Sequence, residues 1–358
     1  MRVLSSEAED LLRRLVLLKS SESDDVSPMV EFVVGRLRGL GLEPNLLGDA
    51  DKPTIFAEHG KDGVVLSGHL DTVPLGEGWT KKQGEVVDGM MYGRGAADMK
   101  GGCSAILLAA EVLAEEGTPF GICLTLDEEI SMNGALAVAH AGLLKKAPAV
   151  LIAEPSDFDI VVREKGLVQF AVRTAGRSAH AGMPELGDNA ITKMTSLLHR
   201  MRGLQKTPKD PLKECTMCVT KIAGGTQLNV IPDSCKAEID SRFPPDMTSE
   251  EVLEIVRRTL DPLEYEMRTL HQLEPVETDA NLPAVKILHE IVGTGAKILG
   301  VPYATEMVMF KRDNSTLMVC GPGEPAQAHA LDECIEIDGV VRAAKIYQDY
   351  CRRMTDDE

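Results

Sequence analysis

Val64-Val65-Leu66-Ser67-Gly68-His69-Leu70-Asp71 is a short apolar run that ends abruptly in an imidazole and a carboxylate. A run of this length bounded by polar residues reads as a buried strand, and the chain repeats the pattern. Ile122-Cys123-Leu124-Thr125-Leu126 leads into Asp127-Glu128-Glu129, and Ala149-Val150-Leu151-Ile152-Ala153 into Glu154-Pro155. Leu317-Met318-Val319-Cys320 leads into the loop Gly321-Pro322-Gly323 and then His329. Helical patterns such as Met99–Glu116 are interleaved with these runs. The alternation predicts an α/β domain with a mostly parallel central sheet and helices on both faces. Ligand sites in such sheets lie at the carboxyl ends of strands, so the clusters are expected to converge on one crevice.

Working outward, the first residues predict two helices. One covers Ser6–Lys19, with Ser6 and Glu9 as a capping box; the other covers Pro28–Leu40, with Ser27 as its cap. Between Lys165 and Gln272 the rhythm changes to strand Val168–Thr174, helix Asn189–Leu204, strand Thr216–Ala223, strand Ser234–Arg242, helix Thr248–Leu260 and strand Glu264–Leu270. That order, βαββαβ, is the ferredoxin-like α+β unit. Thr248 and Glu251 form a capping box for its second helix. The α/β rhythm then resumes with a helix near Ala284–Leu299, the run Ser315–Cys320 and a last helix near Asp338–Arg352. The expected organisation is a larger α/β domain in two parts, 1–164 and 273–358, interrupted by an inserted domain at 165–272. A chain of 358 residues supports this, because single cores stop growing at roughly 250–300 residues.

The apolar fraction of 44% and charged fraction of 26% are those of a globular protein. A formal charge of −18 and a pI near 4.9 disfavour nucleic acid and anionic membrane as partners. The polar, acidic start and the shortness of every apolar run predict a cytoplasmic protein with neither a signal peptide nor a membrane span. The eight cysteines read as buried thiols, the Cys215/Cys218 pair included, since no second pair stands at zinc-ribbon distance.

A fifth element, Gly93-Arg94-Gly95-Ala96-Ala97-Asp98-Met99-Lys100-Gly101-Gly102, sets a carboxylate at the entrance of a long apolar helix. His69, Asp98, Glu129, Glu154 and His329 together are a nitrogen and oxygen set that zinc accepts. Five ligands are one too many for a simple tetrahedral catalytic site, and a carboxylate bridging two metals resolves the count. Taken singly each group has a plainer reading: a solvated charge run for Asp127-Glu128-Glu129, a core histidine for His69, a turn or phosphate loop for Gly93-Arg94-Gly95. A phosphate loop fails on spacing, because Asp98 stands where the last glycine of G-x-G-x-x-G belongs.

These segments, in this order, resemble the zinc-dependent exopeptidases and deacylases that include acetylornithine deacetylase, succinyl-diaminopimelate desuccinylase, aminoacylase and glutamate carboxypeptidase. The resemblance extends into the insertion, through Gly176-Arg177-Ser178-Ala179-His180-Ala181-Gly182, Asn229-Val230-Ile231-Pro232 and Arg242. It departs after Trp79, where Lys81-Lys82-Gln83-Gly84 replaces the common Pro-Phe, and after Glu129, where a glycine commonly comes sooner than Gly134.

The resemblance implies two zinc ions, with cobalt or manganese as substitutes. His69 and Glu154 would hold one, Glu129 and His329 the other, and Asp98 would bridge them. Glu128 would be the general base and Asp71 the partner that fixes the His69 tautomer. His180 and Asn229 would reach the site from the inserted domain of a homodimer's other protomer and bind the oxyanion, and Arg242 would hold the substrate carboxylate. The implied reaction is amide hydrolysis of a small-molecule N-acyl amino acid. The stretch Gly321–Glu333 is most similar to acetylornithine deacetylase, which points to an acetylated basic amino acid. A dipeptidase or carboxypeptidase could use the same site. A metal-free binding or regulatory homologue is the reading of another class, and the intact ligand set with Glu128 argues against it.

Overall fold

The computed structural model describes residues 2–204 and 212–356. The chain divides into two compact units, Met1–Val162 with Thr278–Leu299 and Thr305–Glu358, and Arg163–Glu277 with Gly300–Ala304.

In the first unit the sheet runs in the order Asn45–Gly48, Pro53–His59, Phe120–Thr125, Val64–His69, Val150–Pro155, Leu317–Gly321, Ile160–Glu164. Phe120–Thr125, Val64–His69, Val150–Pro155 and Leu317–Gly321 pair in parallel, while the flanking pairs are antiparallel. The sheet is therefore mixed, with its parallel part at the centre, where strands buried on both faces need continuous apolar runs. From Val64–His69 the chain passes through helix Gly101–Glu116 to the neighbour on one side, then through helix Asn133–Ala141 to the neighbour on the other. The strand order reverses across Val64–His69, and a crevice opens at such a point beyond the carboxyl ends.

One face, with Leu66, Ile122, Leu124, Leu151 and Met318, forms a continuous core with Leu12, Leu15, Ile106, Tyr347 and Tyr350 from the helices. Helix Ile337–Asp356 packs there on Gly101–Glu116, on Pro283–Val292 and on Arg2–Leu17. On the sheet's outer strands, helix Asn133–Ala141 packs against Asn45–Gly48 and Pro53–His59, and also against the short helix Met307–Phe310.

The second unit is a four-stranded antiparallel sheet in the order Thr216–Gly224, Ser234–Phe243, Gly166–Ala175, Glu266–Leu273. Its helices are Ala190–Met201 and Ser249–Leu260. Every second residue of Ser234–Phe243 is buried, and Val168, Phe170 and Val172 join Ala237 and Ile239 under Met194, Leu197, Val252 and Val256. This is the ferredoxin-like arrangement.

Several boundaries differ from the sequence reading. The first helix is Arg2–Leu17, so Ser6 lies inside it and forms no capping box with Glu9. The second is Ser27–Gly39, with Val26 at the cap position; Ser27 is the first helical residue, and its N–H is taken by Asp25 Oδ1 at 3.0 Å. Thr248 and Glu251 do form their box, and Asn189 caps rather than begins its helix by accepting from Ile191 N and Thr192 N. The helix near residue 284 is Pro283–Val292, stopped by Gly293 at φ 107°, and Ile298–Val301 is a strand. All eight cysteines are free, but Cys218 is exposed and Cys215 and Cys334 are half-buried, so burial describes only five of them. Among the described residues no helix is long and apolar enough to cross a membrane.

Candidate dinuclear metal site

Each candidate group is placed by the end of a strand or the start of a helix. His69 closes strand Val64–His69 and pairs in register with Thr125, two residues before Asp127-Glu128-Glu129. Glu154 is the penultimate residue of its strand, next to Pro155, which pairs with Gly321. Asp98 interrupts the helical path ahead of Gly101–Glu116: its φ/ψ of −119°/93° and those of Met99, −133°/36°, are not helical, and the Asp98–Met99 peptide bond is cis. Sequence periodicity placed Met99 in the helix, whereas these two residues leave the helical path so that the carboxylate can project.

Two glycines make this possible. Gly95 has φ 81°, and a Cβ there would stand 2.6 Å from Thr72 Cγ2. Gly102 brings the helix so close to strand Val150–Pro155 that a Cβ would lie 2.2 Å from the Ala153 carbonyl oxygen, one residue before Glu154.

The resulting geometry has two donor groups with one shared member. Ligand atoms of His69, Asp98 and Glu154 lie within 4.8 Å of one another, and so do those of Asp98, Glu129 and His329. His69 Nε2 is 3.2 Å from Asp98 Oδ1 and 3.5 Å from Glu154 Oε1. His329 Nε2 is 3.0 Å from both Glu129 oxygens and 3.5 Å from Asp98 Oδ2. The two oxygens of Asp98 thus face opposite groups. The His69 side chain is buried, while that of His329 is 54% exposed, which sets the open side of the cluster at His329. His329 itself has a left-handed backbone, φ 60°, a conformation that concentrates at functional positions.

Asp71 is buried and works in two directions. Its oxygens accept from Glu128 N at 3.2 Å and Glu129 N at 3.1 Å, and Oδ1 lies 3.5 Å from His69 Nδ1. The nearer partner of His69 Nδ1 is the Asp71 carbonyl oxygen at 3.0 Å, which fixes the proton on Nδ1 and turns Nε2 toward Asp98 and Glu154. Asp127 shapes the rest of that loop by accepting from Ser131 Oγ, Asn133 N and Gly134 N.

The electrostatics follow from crowding. Burial pushes the Glu154 carboxyl well above the ordinary range, with Asp98 and Glu128 adding to the effect and His69 opposing it. Burial does the same to Glu128. Burial alone would lower the pKa of His69, yet Glu154, Asp71 and Asp98 hold it well above normal. The hydrogen bond to Glu129 raises that of His329. Three carboxylates and two imidazoles confined in this way match the donor preferences of a borderline divalent cation, and two such ions would nearly balance the carboxylate charge.

The remaining sequence candidates lie in the second unit. His180 and Asn229 sit on adjoining loops: His180 bridges to Val230, and Ala181 N donates to the Asn229 carbonyl at 2.9 Å. His180 Nδ1 accepts from Gly182 N, so its proton resides on Nε2 of an exposed ring. Arg242 is engaged by Asp240 on its own strand, at 3.0 Å from Nε to Oδ1.

Two groups in the first unit gave no sequence signal. Glu333, which reads as half of an ordinary acidic pair with Asp332, is fully buried against the Gly95–Asp98 turn. Glu306 is also buried, and burial pushes its carboxyl up to about 7 against the opposing effect of the Thr125 hydroxyl.

A mixed α/β sheet here gathers carboxylate and imidazole donors that could hold metal ions at its switch point, the arrangement of a candidate metal-dependent enzyme. The chain belongs to peptidase family M20/M25/M40, whose model matches residues 65–353. It is 30% identical over 353 residues to acetylornithine deacetylase of Edwardsiella ictaluri, covering 91% of each chain. It is 26% identical to a probable succinyl-diaminopimelate desuccinylase of Staphylococcus epidermidis, covering 98% of each. The fold also matches a dinuclear metal-binding M20 peptidase of Bacillus subtilis with a TM-score of 0.77 at 16% identity, covering 99% of each.

Proposed function

We propose that this chain is a two-zinc hydrolase that cleaves the amide bond of an N-acyl amino acid, with an acetylated basic amino acid as the first substrate to test. The observation that carries the reading is the sharing of Asp98: one carboxylate directs separate oxygens toward a His69–Glu154 group and a Glu129–His329 group. The deacetylase and desuccinylase relatives support the substrate class.

In this reading Asp98 would be shared by the two ions, His69 and Glu154 would hold one, and Glu129 and His329 would hold the other. The ions, when bound, supply an acidified water and polarise the scissile carbonyl. Glu128, anchored through its backbone to Asp71, takes the proton from the attacking water and delivers it to the leaving nitrogen. Asp71 keeps the His69 ring oriented through these steps. Eight free thiols accord with a reducing, cytoplasmic setting.

The purified protein is expected to carry two transition-metal ions per chain and to lose activity on chelation. N-acetyl, N-succinyl and dipeptide substrates should then be compared by kcat/KM. Turnover of N-acetyl amino acids above the other two groups is the expected outcome; preference for dipeptides would make it a peptidase, and indifference to chelator would sink the hydrolase mechanism.

We further propose that the inserted unit pairs with a second copy, so that His180 and Asn229 act at the site of the other protomer to bind the oxyanion, while Arg242 engages the substrate carboxylate by exchanging Asp240 for it. His180→Ala and Glu128→Gln homodimers should each be nearly inactive, and mixing them under subunit exchange should restore part of the activity. A fully active monomer on a sizing column would remove His180 and Asn229 from the site.

A further inference from the structure

We infer that Glu333 is the positioning residue for Asp98, holding from the His329 loop the backbone turn out of which the shared carboxylate projects. The inference rests on the two-metal reading above. Glu333 is fully buried, and its oxygens collect four donors. Oε2 accepts from Arg94 Nη1 at 2.7 Å and Gly95 N at 3.0 Å; Oε1 accepts from Ala97 N at 2.9 Å and Asp98 N at 3.0 Å.

The geometry has a simple origin. The left-handed Gly95, followed by a turn that is not regular helix, aims three backbone N–H groups at one point, a concave arrangement suited to an anion. Buried donors of this kind require an acceptor, and one carboxylate satisfies all three. Because the N–H of Asp98 is itself one of the three, the bond fixes the peptide plane from which its side chain departs. That plane decides whether Oδ1 and Oδ2 can face different groups, as they do toward His69 and His329.

The other end of the strut is equally well placed. Glu333 lies four residues beyond His329, and its own carbonyl accepts from Gly93 N at 2.9 Å. Cys334 then pairs with Tyr92 across the strands Cys334–Glu336 and Met90–Tyr92. Arg94, held by Glu333, also reaches the His329 carbonyl at 3.4 Å and lies over the Trp79 ring. The loops bearing Asp98 and His329 are therefore one mechanical unit joined through Glu333, both of whose oxygens are taken by these protein donors.

The test is cobalt(II) binding to the full chain, by chelator competition and visible absorption, with kcat, KM and Tm alongside. Glu333→Gln replaces one oxygen by an amino group that opposes two donors instead of accepting them. Cobalt affinity is expected to fall roughly 10–100-fold, the usual cost of losing a group that orients ligands, with a changed cobalt spectrum and a lower kcat at near-constant KM. A packing role alone would lower Tm and leave cobalt affinity and spectrum at wild-type values, which would overturn the inference. If Glu333→Gln does not fold, Glu333→Asp, which keeps the charge and shortens the reach, decides: weakened cobalt binding supports the strut and wild-type binding refutes it. A wild-type chain that takes up no cobalt overturns both the two-metal reading and this one, whereas normal wild-type uptake with unaffected variants overturns this one alone.

Discussion

Glu128→Ala is expected to retain both metal ions and to lose turnover by roughly 10²–10⁴-fold, the range that a positioned general base contributes. Glu128 and Glu129 are neighbours with opposite assignments, and the backbone explains how this is possible. Asp71 accepts from both of their N–H groups, Glu129 meets His329, and in the proposed mechanism Glu128 is the residue that faces the attacking water. Burial pushes the Glu128 carboxyl well above its ordinary pKa, consistent with a group that must accept a proton and give it up within one cycle. The contrasting variant, Glu129→Ala, should release metal from its group and recover part of its activity in excess metal. Metal analysis and kcat measured on the two variants side by side check the assignment; full turnover in Glu128→Ala would show that the base lies elsewhere.

Asp98→Ala should be more damaging to metal binding than either change, because its two oxygens serve both donor groups. The cost should exceed the roughly 10–100-fold that follows loss of a merely orienting partner. The stability consequence is small without metal and large with it. Without metal, burial pushes the Asp98 carboxyl up, but His69 and His329 outweigh it and hold it below the ordinary range, so its removal loses these attractions and the apo-protein should melt no higher than wild type. With metal, wild type gains stability in proportion to the logarithm of metal concentration over Kd, and the variant forgoes that gain. Thermal melts of both proteins with and without zinc would show a large metal-induced rise in wild type and almost none in Asp98→Ala. A variant that kept the wild-type rise would exclude a bridging role.

The parts of this arrangement that sequence reading reached share a physical reason. Apolar runs ending at His69, Asp127, Glu154 and Gly321 are visible because a central parallel strand is buried on both faces and must be apolar throughout. Where the strands stop is where polar chemistry begins. The insertion was legible through its alternating strands and through Thr248 and Glu251, whose capping box is a purely local interaction. The missed features depend on contacts far apart in the chain. Glu333 finds its donors 235 to 239 positions earlier, so nothing near it distinguishes it from a surface acid. Asp98 and Met99 leave the helical path for the same kind of reason, since the pull comes from Glu333 and not from the helix. Ser6 and Ser27 failed as caps because several serines and acids stand near each helix start, and spacing alone does not choose among them.

The strand order also governs when a growing chain can first assemble this site. His69, Asp98, Glu129 and Glu154 all precede residue 160, so they leave the ribosome before the whole insertion, which can organise its own core in the meantime. Strand Leu317–Gly321, the partner of Val150–Pro155, arrives only afterwards, followed by His329 and then Glu333. Until these emerge, Asp98 lacks both its second imidazole and its backbone anchor. A nascent or prematurely terminated chain would therefore lack the His329 half of the proposed two-ion site, so in that reading full metal loading is expected only once these residues have been made.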